Sequence, residues 1–455
     1  MANELKKKYG LFTAIAMVVG IVIGSGVFFK AEAVLVATGG DIPLGIAAWA
    51  IVGLIMIICS FSFATLATKY ERVNGLVDYA EMTVGSGYAY YVGWFMATIY
   101  NPTLTSVLAW VSARFLCVLL GWDITGGSAM VIAGFFLIAS YAVNVLSPVI
   151  AGKFQVTATV IKLIPLILMA VVGTVAGLTS GMTISNFSRV VSDDISRGQG
   201  LFASVVAVAF AYEGWIVATS INAEIRDAKK NLPRALTIGA LIVVAVYILY
   251  YIGLAGAVTT ETLMEGGQTG AKLAFQSLFG TFAGTLIFVF VIISCLGTLN
   301  GLMMGCVRGL YALAARDKGP KPRMFRQVDG ATNMPANSSI LGLLLAGFWL
   351  MYFYGANLTE PVWFGAFCFD TSELPIITLY AAYIPIFAMF MKRERELGAF
   401  KRTVMPALSI ISCVFMVVAA VFAHRMSVVY YLIVFAVIMA VGAAVKNGRD
   451  GAAYR

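Results

Sequence analysis

Apolar stretches long enough to cross a lipid bilayer occur twelve times along this 455-residue chain. A membrane-spanning helix needs about 20 mainly apolar residues, and the backbone inside lipid is satisfied only in helices or closed barrels. The alternating pattern of barrel strands is absent. The predicted spans are residues 11–36, 43–69, 87–121, 127–148, 155–178, 200–221, 235–258, 280–314, 338–355, 362–391, 403–423 and 427–445. The sequence therefore predicts an all-α membrane protein with twelve transmembrane helices.

Charged residues make up 12% of the chain, about half the share in a soluble domain. The formal net charge is +9, but the basic residues lie between the apolar stretches and form no patch for nucleic acid. Because Lys and Arg concentrate in cytoplasmic loops, their distribution predicts that both termini are cytoplasmic. Four basic residues fall on the predicted outer side: Arg189, Arg197, Lys272 and Arg425. Four others lie within or at the ends of predicted helices: Lys30, Arg114, Lys162 and Arg308.

The cysteine and histidine pattern predicts neither a metal site nor a cofactor. All six cysteines fall inside apolar stretches without CxxC spacing, and we interpret them as buried apolar residues. They are Cys59, Cys117, Cys295, Cys306, Cys368 and Cys413. The only histidine, His424, lies at a helix end. A membrane-embedded enzyme would need a nucleophile–base pair or a metal cluster, so this class is disfavoured.

Two predicted helices contain an interruption near mid-membrane. Helix 1 carries Gly24, Ser25 and Gly26, where glycine disfavours a helix by about 1 kcal/mol against alanine. Close helix packing explains such small residues equally well. Helix 6 carries Glu213 beside Gly214, and an acidic residue in a membrane normally faces a cavity or a partner. Paired interruptions are typical of inverted-repeat transporters with a midplane site.

Several motifs resemble one transporter family. Ile23–Phe28 is similar to the I-G-S/T-G-I/V-F signature of the amino acid–polyamine–organocation (APC) superfamily, and Phe210–Trp215 resembles F-A-Y-x-G-W of its L-amino-acid-transporter branch. Further matches are Asn222–Arg226 and Asn231–Ala235 after helix 6, and Cys295–Gly297, Asn300, Gly301 and Arg308 in helix 8. The resemblance is strongest to bacterial serine/threonine and alanine–serine–cysteine exchangers.

This resemblance implies a LeuT-type fold within a single transmembrane domain, residues 1–455. Residues 1–178 and 200–391 would form two five-helix inverted repeats with discontinuous helices 1 and 6, and residues 403–445 two added helices. The location implied is a bacterial cytoplasmic membrane. Animal members bind a heavy chain through a cysteine between helices 3 and 4, but the connection Trp122–Gly126 has none, so we expect no disulfide-linked partner.

The resemblance also implies a substrate site. The substrate carboxylate would lie on backbone N–H groups around residues 24–26, and its ammonium on carbonyls near residues 22, 23 and 210. Phe210 would close over the substrate as a gate. The predicted substrate-binding residues are Val22, Ile23, Gly24, Ser25, Gly26, Phe210, Ala211, Glu213 and Trp215.

Two further side chains are implied to act in coupling. Lys162 on helix 5 matches a family lysine that takes the place of a sodium ion beside helix 1, and Tyr247 on helix 7 matches a tyrosine that works with it. From the residues alone, Lys162 could equally extend to the inner membrane surface, and a tyrosine on a membrane helix is ordinary.

Asp370 and Glu373 on helix 10 belong to none of the recognised motifs. They suit an interfacial helix start, an acidic pair in the outer vestibule, or a proton site, since burial raises the pKa of a carboxyl.

The predicted function is secondary transport of small neutral L-amino acids, by obligatory exchange without sodium. A proton-coupled symporter using Glu213, Asp370 or Glu373 remains an alternative. Glu213 also leaves cationic substrates open.

Overall fold

The protein is described here from a computed structural model, which covers residues 10–70, 75–192, 195–216 and 225–447. No β-strand forms in these ranges. The helices, numbered in chain order, are α1 Leu11–Val22, α2 Gly26–Ala37, α3 Ile42–Tyr70, α4 Leu76–Thr83, α5 Ser86–Leu120, α6 Gly127–Leu146, α7 Pro148–Ser180, α8 Met182–Phe187, α9 Arg197–Tyr212, α10 Ala228–Ala257, α11 Thr260–Gly266, α12 Gln268–Ala314, α13 Pro322–Phe325, α14 Ala336–Asn357, α15 Leu374–Arg393, α16 Phe400–His424 and α17 Met426–Val445.

The prediction of an all-helical membrane protein is confirmed. The predicted count of twelve spans is not confirmed by the described residues. Among the described residues, ten helices are long and apolar enough to cross a membrane, and the bent pair α1–α2 makes an eleventh. The predicted sixth span corresponds to α9, which has 16 residues. Its expected remainder, and most of the matched loop at 222–226, fall outside the described ranges, as do both chain termini.

Two predicted boundaries are corrected. The tenth span begins at Leu374 rather than at 362, because the apolar residues before it form turns and the short 3₁₀ helix Gly365–Phe367. The segment 231–235, predicted as an inner loop, lies within α10 and places Pro233 inside that helix. The predicted start of span 8 agrees with a kink in α12 at Gly280, whose φ is 77°.

The chain divides into two compact units. The first comprises Met1–Gly85, Val160–Val291 and Ile376–Ala423. Its core contains a buried aromatic cluster: the Trp49 ring centroid lies 5.8 Å from that of Tyr212, 5.6 Å from Tyr247 and 6.2 Å from Tyr251. This cluster joins α3, α9 and α10. It contains Tyr212, which precedes the predicted interruption of helix 6, and Tyr247, the predicted coupling tyrosine.

The second unit comprises Ser86–Thr159, Ile292–Pro375 and His424–Arg455. Its helix α5 is largely buried and packs against α6 and α14, where the Trp349 indole donates to the Thr98 carbonyl oxygen at 3.0 Å. The Asn144 amide donates to Asn300 Oδ1 at 2.8 Å, and the Asn300 amide donates to Gln155 Oε1 at 3.2 Å. Buried amides joined in this way fix the mutual positions of α6, α7 and α12 within the unit.

Candidate functional site

Helix 1 is broken at its glycines. The segment α1 ends at Val22, Ile23 has an extended ψ of 107°, and α2 begins at Gly26 with its axis bent by 52° from that of α1. The last carbonyls and the first N–H groups of any helix lack partners within that helix. The break therefore brings a partially negative and a partially positive backbone end to the same place.

The predicted interruption of helix 6 coincides with the end of α9 in the same unit. The segment α9 ends at Tyr212, Glu213 is extended with ψ 157°, and Gly214 has a φ of 101°. Only glycine adopts that region without strain. A Cβ atom built on Gly214 would lie 3.5 Å from the carbonyl oxygen of Ile21. The second interruption is therefore adjacent to the last turn of α1.

Helices α2 and α9 touch through their backbones. A Cβ atom built on Gly26 would lie 2.4 Å from the Cα atom of Ala211, a separation that real Cβ atoms do not show. Only glycine therefore allows α2 to approach α9 this closely. The contact places the N-terminal end of α2 beside the C-terminal end of α9, and so joins opposite partial charges from different helices.

The Lys162 side chain holds the last turn of α1. Its ammonium donates to the Gly20 carbonyl oxygen at 2.7 Å, and the residue is 5% exposed. That carbonyl belongs to the last turn of α1, which the break deprives of helical donors. The ammonium is thus directed to the break in helix 1 and makes a charge-assisted hydrogen bond there.

The Tyr247 hydroxyl joins the ends of α1 and α9. It lies 3.2 Å from the carbonyl oxygen of Val22 and 3.2 Å from that of Ala211, and the residue is completely buried. Its proton can be shared between these two acceptors. One side chain of α10 therefore fixes the carbonyl ends of α1 and α9 relative to each other.

The predicted gate ring packs against α2. Phe210 is buried, and its ring meets that of Phe29 edge to face at 5.8 Å between centroids. The Lys30 ammonium lies 5.4 Å from the Phe210 centroid and 5.1 Å from that of Phe29, within the range of cation–π attraction. Neither Lys30 nor Phe29 is among the residues that the sequence predicts for the site. The spacing of Lys30 four residues after Gly26 is the signal that indicates it, because residues at i and i+4 share a helix face.

The sequence profile of a family described as "amino acid permease" matches residues 9–443. The chain belongs to the amino acid permease family. The permease is therefore a membrane transporter, and the enzyme alternative is excluded.

Among similar proteins, the serine/threonine exchanger SteT of Bacillus subtilis (strain 168) is 30% identical over 397 residues, which cover 87% of this chain and 85% of the relative. The human b(0,+)-type amino acid transporter 1 is 26% identical over a region that covers 95% of this chain and 86% of the transporter's length. The human cystine/glutamate transporter is 24% identical over a region that covers 73% of this chain and 66% of that transporter's length.

One predicted site residue of the permease lies against α3 and α15. Trp215 is buried, with its ring 5.6 Å from that of Phe63 and 5.8 Å from that of Tyr383. The structure thus places the Trp215 ring in an aromatic cluster with α3 and α15, whereas Ala211 and the Phe210 ring contact α2.

The acidic residues near the start of α15 have different roles. The Asp370 carboxylate accepts the N–H groups of Ser372 at 2.6 Å and Glu373 at 3.1 Å. This is the behaviour of a helix cap, so Asp370 fits the interfacial helix start. The Glu373 carboxylate instead lies 3.0 Å from His424 Nε2, and both side chains are largely buried. The pairing of Glu373 with the only histidine is not predicted from the sequence, because 51 residues separate them.

Proposed function

We propose that this permease exchanges small neutral L-amino acids by alternating access, without sodium. Membership of the amino acid permease family and similarity to a serine/threonine exchanger support this substrate class and mode. The single observation that carries the proposal is the contact between the broken helix 1 and the end of α9 at Gly26 and Ala211.

The bound amino acid would lie across this meeting point. Its carboxylate would accept N–H groups of Gly24, Ser25 and Gly26, where α2 begins. Its ammonium would donate to carbonyls of Val22 and Ile23 at the end of α1, and of Phe210 in α9. A helix end carries about half an elementary charge, so both poles of a zwitterion are matched without burying a formal protein charge, which costs several kcal/mol. The Val22 carbonyl can serve both Tyr247 and the substrate because it has two lone pairs.

Lys162 and Tyr247 would couple substrate binding to movement of helix 1. Both donate to carbonyls at the end of α1, so a shift of α1 during transport must stretch or replace these bonds. A lysine that supplies a positive charge beside α1 would remove the need for a sodium ion there. Phe210 would act as the gate, since it belongs to α9 at the proposed site and its ring packs on Phe29 of α2.

The remaining organisation is proposed on the same basis. Residues 1–178 and 200–391 would be inverted repeats, followed by two added helices within 403–445. The excess of Lys and Arg in one set of loops supports cytoplasmic termini in a bacterial inner membrane. The connection Trp122–Gly126 lacks a cysteine, which supports function without a disulfide-linked heavy chain.

Counterflow in proteoliposomes tests the proposal. Purified protein is reconstituted with and without about 5 mM internal serine, roughly ten times a typical sub-millimolar KM. Uptake of labelled serine is followed in sodium and in choline buffer. Exchange predicts uptake in loaded vesicles only, at equal rates in the two buffers. Equal uptake into empty vesicles contradicts exchange, and loss of uptake in choline contradicts sodium independence.

A proton-coupled symporter is the second candidate, favoured by the buried Glu373–His424 pair. A carboxyl and an imidazole 3.0 Å apart can share or release a proton. This function predicts that an inward pH gradient alone drives serine into empty vesicles, and that Glu373→Gln abolishes this uptake. Absence of gradient-driven uptake in the wild type removes this candidate and leaves exchange.

A further inference from the structure

We propose that Lys69, Tyr70 and Glu394 form a lock, called here the inner lock, which closes the inner end of the transport path and opens in each exchange cycle. The inner end is the end of α3 that carries Lys69, which the distribution of basic residues predicts to be cytoplasmic. This inference rests on the proposed function and assigns gating residues that lie outside the recognised motifs.

The inner lock joins the last turn of α3 to the end of α15. The Glu394 carboxylate accepts the Lys69 ammonium at Oε2 and the Tyr70 hydroxyl at Oε1. Glu394 is 7% exposed, whereas the Lys69 side chain is 31% exposed. A carboxylate buried to this extent needs its partners, because a buried charge that loses its partner strongly destabilises the structure around it. The carboxylate therefore holds the two helix ends together until water can replace the lysine and the tyrosine.

A cluster of aromatic rings closes the path between the inner lock and the proposed site. The Phe63 ring of α3 lies 4.9 Å from those of Tyr383 and Phe387 on α15, measured between centroids. It also lies 5.6 Å from the ring of Trp215, which follows the end of α9. All four residues are buried, and rings packed in this way leave no room for a substrate. This cluster must therefore separate before an amino acid can reach the inner side.

The inner lock and the aromatic cluster lie on the same faces of α3 and α15. Tyr70 follows Phe63 by seven residues, and Glu394 follows Phe387 by seven residues. The Glu394 N–H donates to the Phe390 carbonyl at 3.0 Å, so helical geometry extends to Glu394. Seven residues make two turns, or about 10 Å, and positions seven apart share a helix face. Ring contact and ion pair therefore form one seam, and separation at the rings must also stretch the inner lock.

The opposite end of α3 is held less firmly. Asp41 precedes the first residue of α3, and its Oδ2 lies 3.7 Å from Nε of Arg197, whose side chain is 83% exposed. Exposed ion pairs contribute little to stability. A hydrogen bond to a buried charged group, in contrast, shifts a two-state equilibrium by roughly tenfold to a hundredfold. The permease at rest is therefore closed at the inner end and opens more readily at the start of α3.

Access of a thiol reagent to Cys59 tests the inner lock. Cys59 is completely buried, and it precedes Phe63 by four residues on the same face of α3, on the side away from the inner lock. A charged, membrane-impermeant methanethiosulfonate reagent is applied to right-side-out and to inside-out membrane vesicles. Mass spectrometry then gives the rate at which Cys59 is modified from each face of the membrane.

The variants separate the inner lock from a general loss of charge. Glu394→Gln removes the buried charge and keeps the shape of the side chain. The double variant Lys69→Gln with Glu394→Gln leaves no unpaired charge, and it provides the same test if the single variant does not bind serine. Glu396→Gln is the matched control, because Glu396 lies 3.8 Å from the same lysine but its side chain is 91% exposed.

The inner lock predicts that Cys59 in Glu394→Gln and in the double variant is modified roughly tenfold to a hundredfold faster than in the wild type, from the cytoplasmic face only. Glu396→Gln should match the wild type. An unchanged rate in serine-binding lock variants overturns the inference, as does equal acceleration from both faces or in the control. Serine counterflow is measured separately in the same vesicles, so its presence in the wild type leaves the proposed function standing whatever Cys59 shows.

Discussion

Replacing Lys162 by methionine should slow amino acid exchange strongly while leaving the fold intact. Methionine keeps most of the apolar stem, so the substitution removes the ammonium without opening a large cavity. What is lost is the 2.7 Å hydrogen bond to the Gly20 carbonyl in the last turn of α1. That carbonyl is then left without this donor in a buried place.

The magnitude follows from the type of bond. A hydrogen bond to a charged group contributes about 1.5–3 kcal/mol. At 1.4 kcal/mol per tenfold change, the conformation with α1 held by α7 should lose population by a factor of roughly 10 to 140. If that conformation is required in each cycle, the maximal exchange rate should fall by a similar factor.

The assay is serine exchange in proteoliposomes with equal amounts of reconstituted protein, fitted for maximal rate and KM. Lys153→Met is the control, since it removes an exposed lysine from the same helix and should change neither quantity. A maximal rate for Lys162→Met within twofold of the wild type would refute the role given to this bond.

Three other outcomes follow from the structure. Gly26→Val should abolish serine binding, because its side chain would occupy the 2.4 Å approach to Ala211; binding at wild-type affinity in a calorimeter would place the site elsewhere. Tyr247→Phe should lower the unfolding midpoint by the equivalent of about 1–3 kcal/mol and slow exchange, since two buried carbonyls lose their shared donor; unchanged thermal unfolding and exchange would count against this. Hydrogen bonds from the backbone and side chain of Thr332 lower the pKa of Asp329. The ionised Asp329 carboxylate therefore stabilises its loop above the pKa of the unfolded carboxyl, and this stability is lost as the pH falls through the lower folded pKa. A carbon-13 NMR titration of Asp329 should give a midpoint below that of a model peptide, and an equal midpoint would contradict the bonds.

The interruptions could be predicted because they require unusual residues. Glycines around Ser25, and a glutamate followed by Gly214, are poor choices for the middle of a membrane helix. The contact between the interruptions could not be read from the sequence. It depends on the 52° bend of helix 1 and on the position of α10, both of which result from packing.

Lys30 was outside the predicted site because a lysine in an apolar stretch usually marks a helix end or extends to the membrane surface. Its ammonium instead lies beside the Phe210 ring, a contact between residues 180 positions apart in the sequence. The start of α15, by contrast, could have been predicted from the sequence, because the pattern Asp370-x-x-Glu373 resembles a capping box. Hydropathy masks that signal, since residues 362–369 are apolar yet form turns, with Phe364 stacked on Tyr352.

A map of the reconstituted protein with serine bound, obtained by electron cryomicroscopy, tests the central claim most directly. The account predicts serine between α2 and α9, with its carboxylate about 3 Å from N–H groups of residues 24–26 and its ammonium equally close to carbonyls of residues 22, 23 and 210. Helices continuous through residues 23–25 and 213–214, or serine bound at any other place, would contradict it.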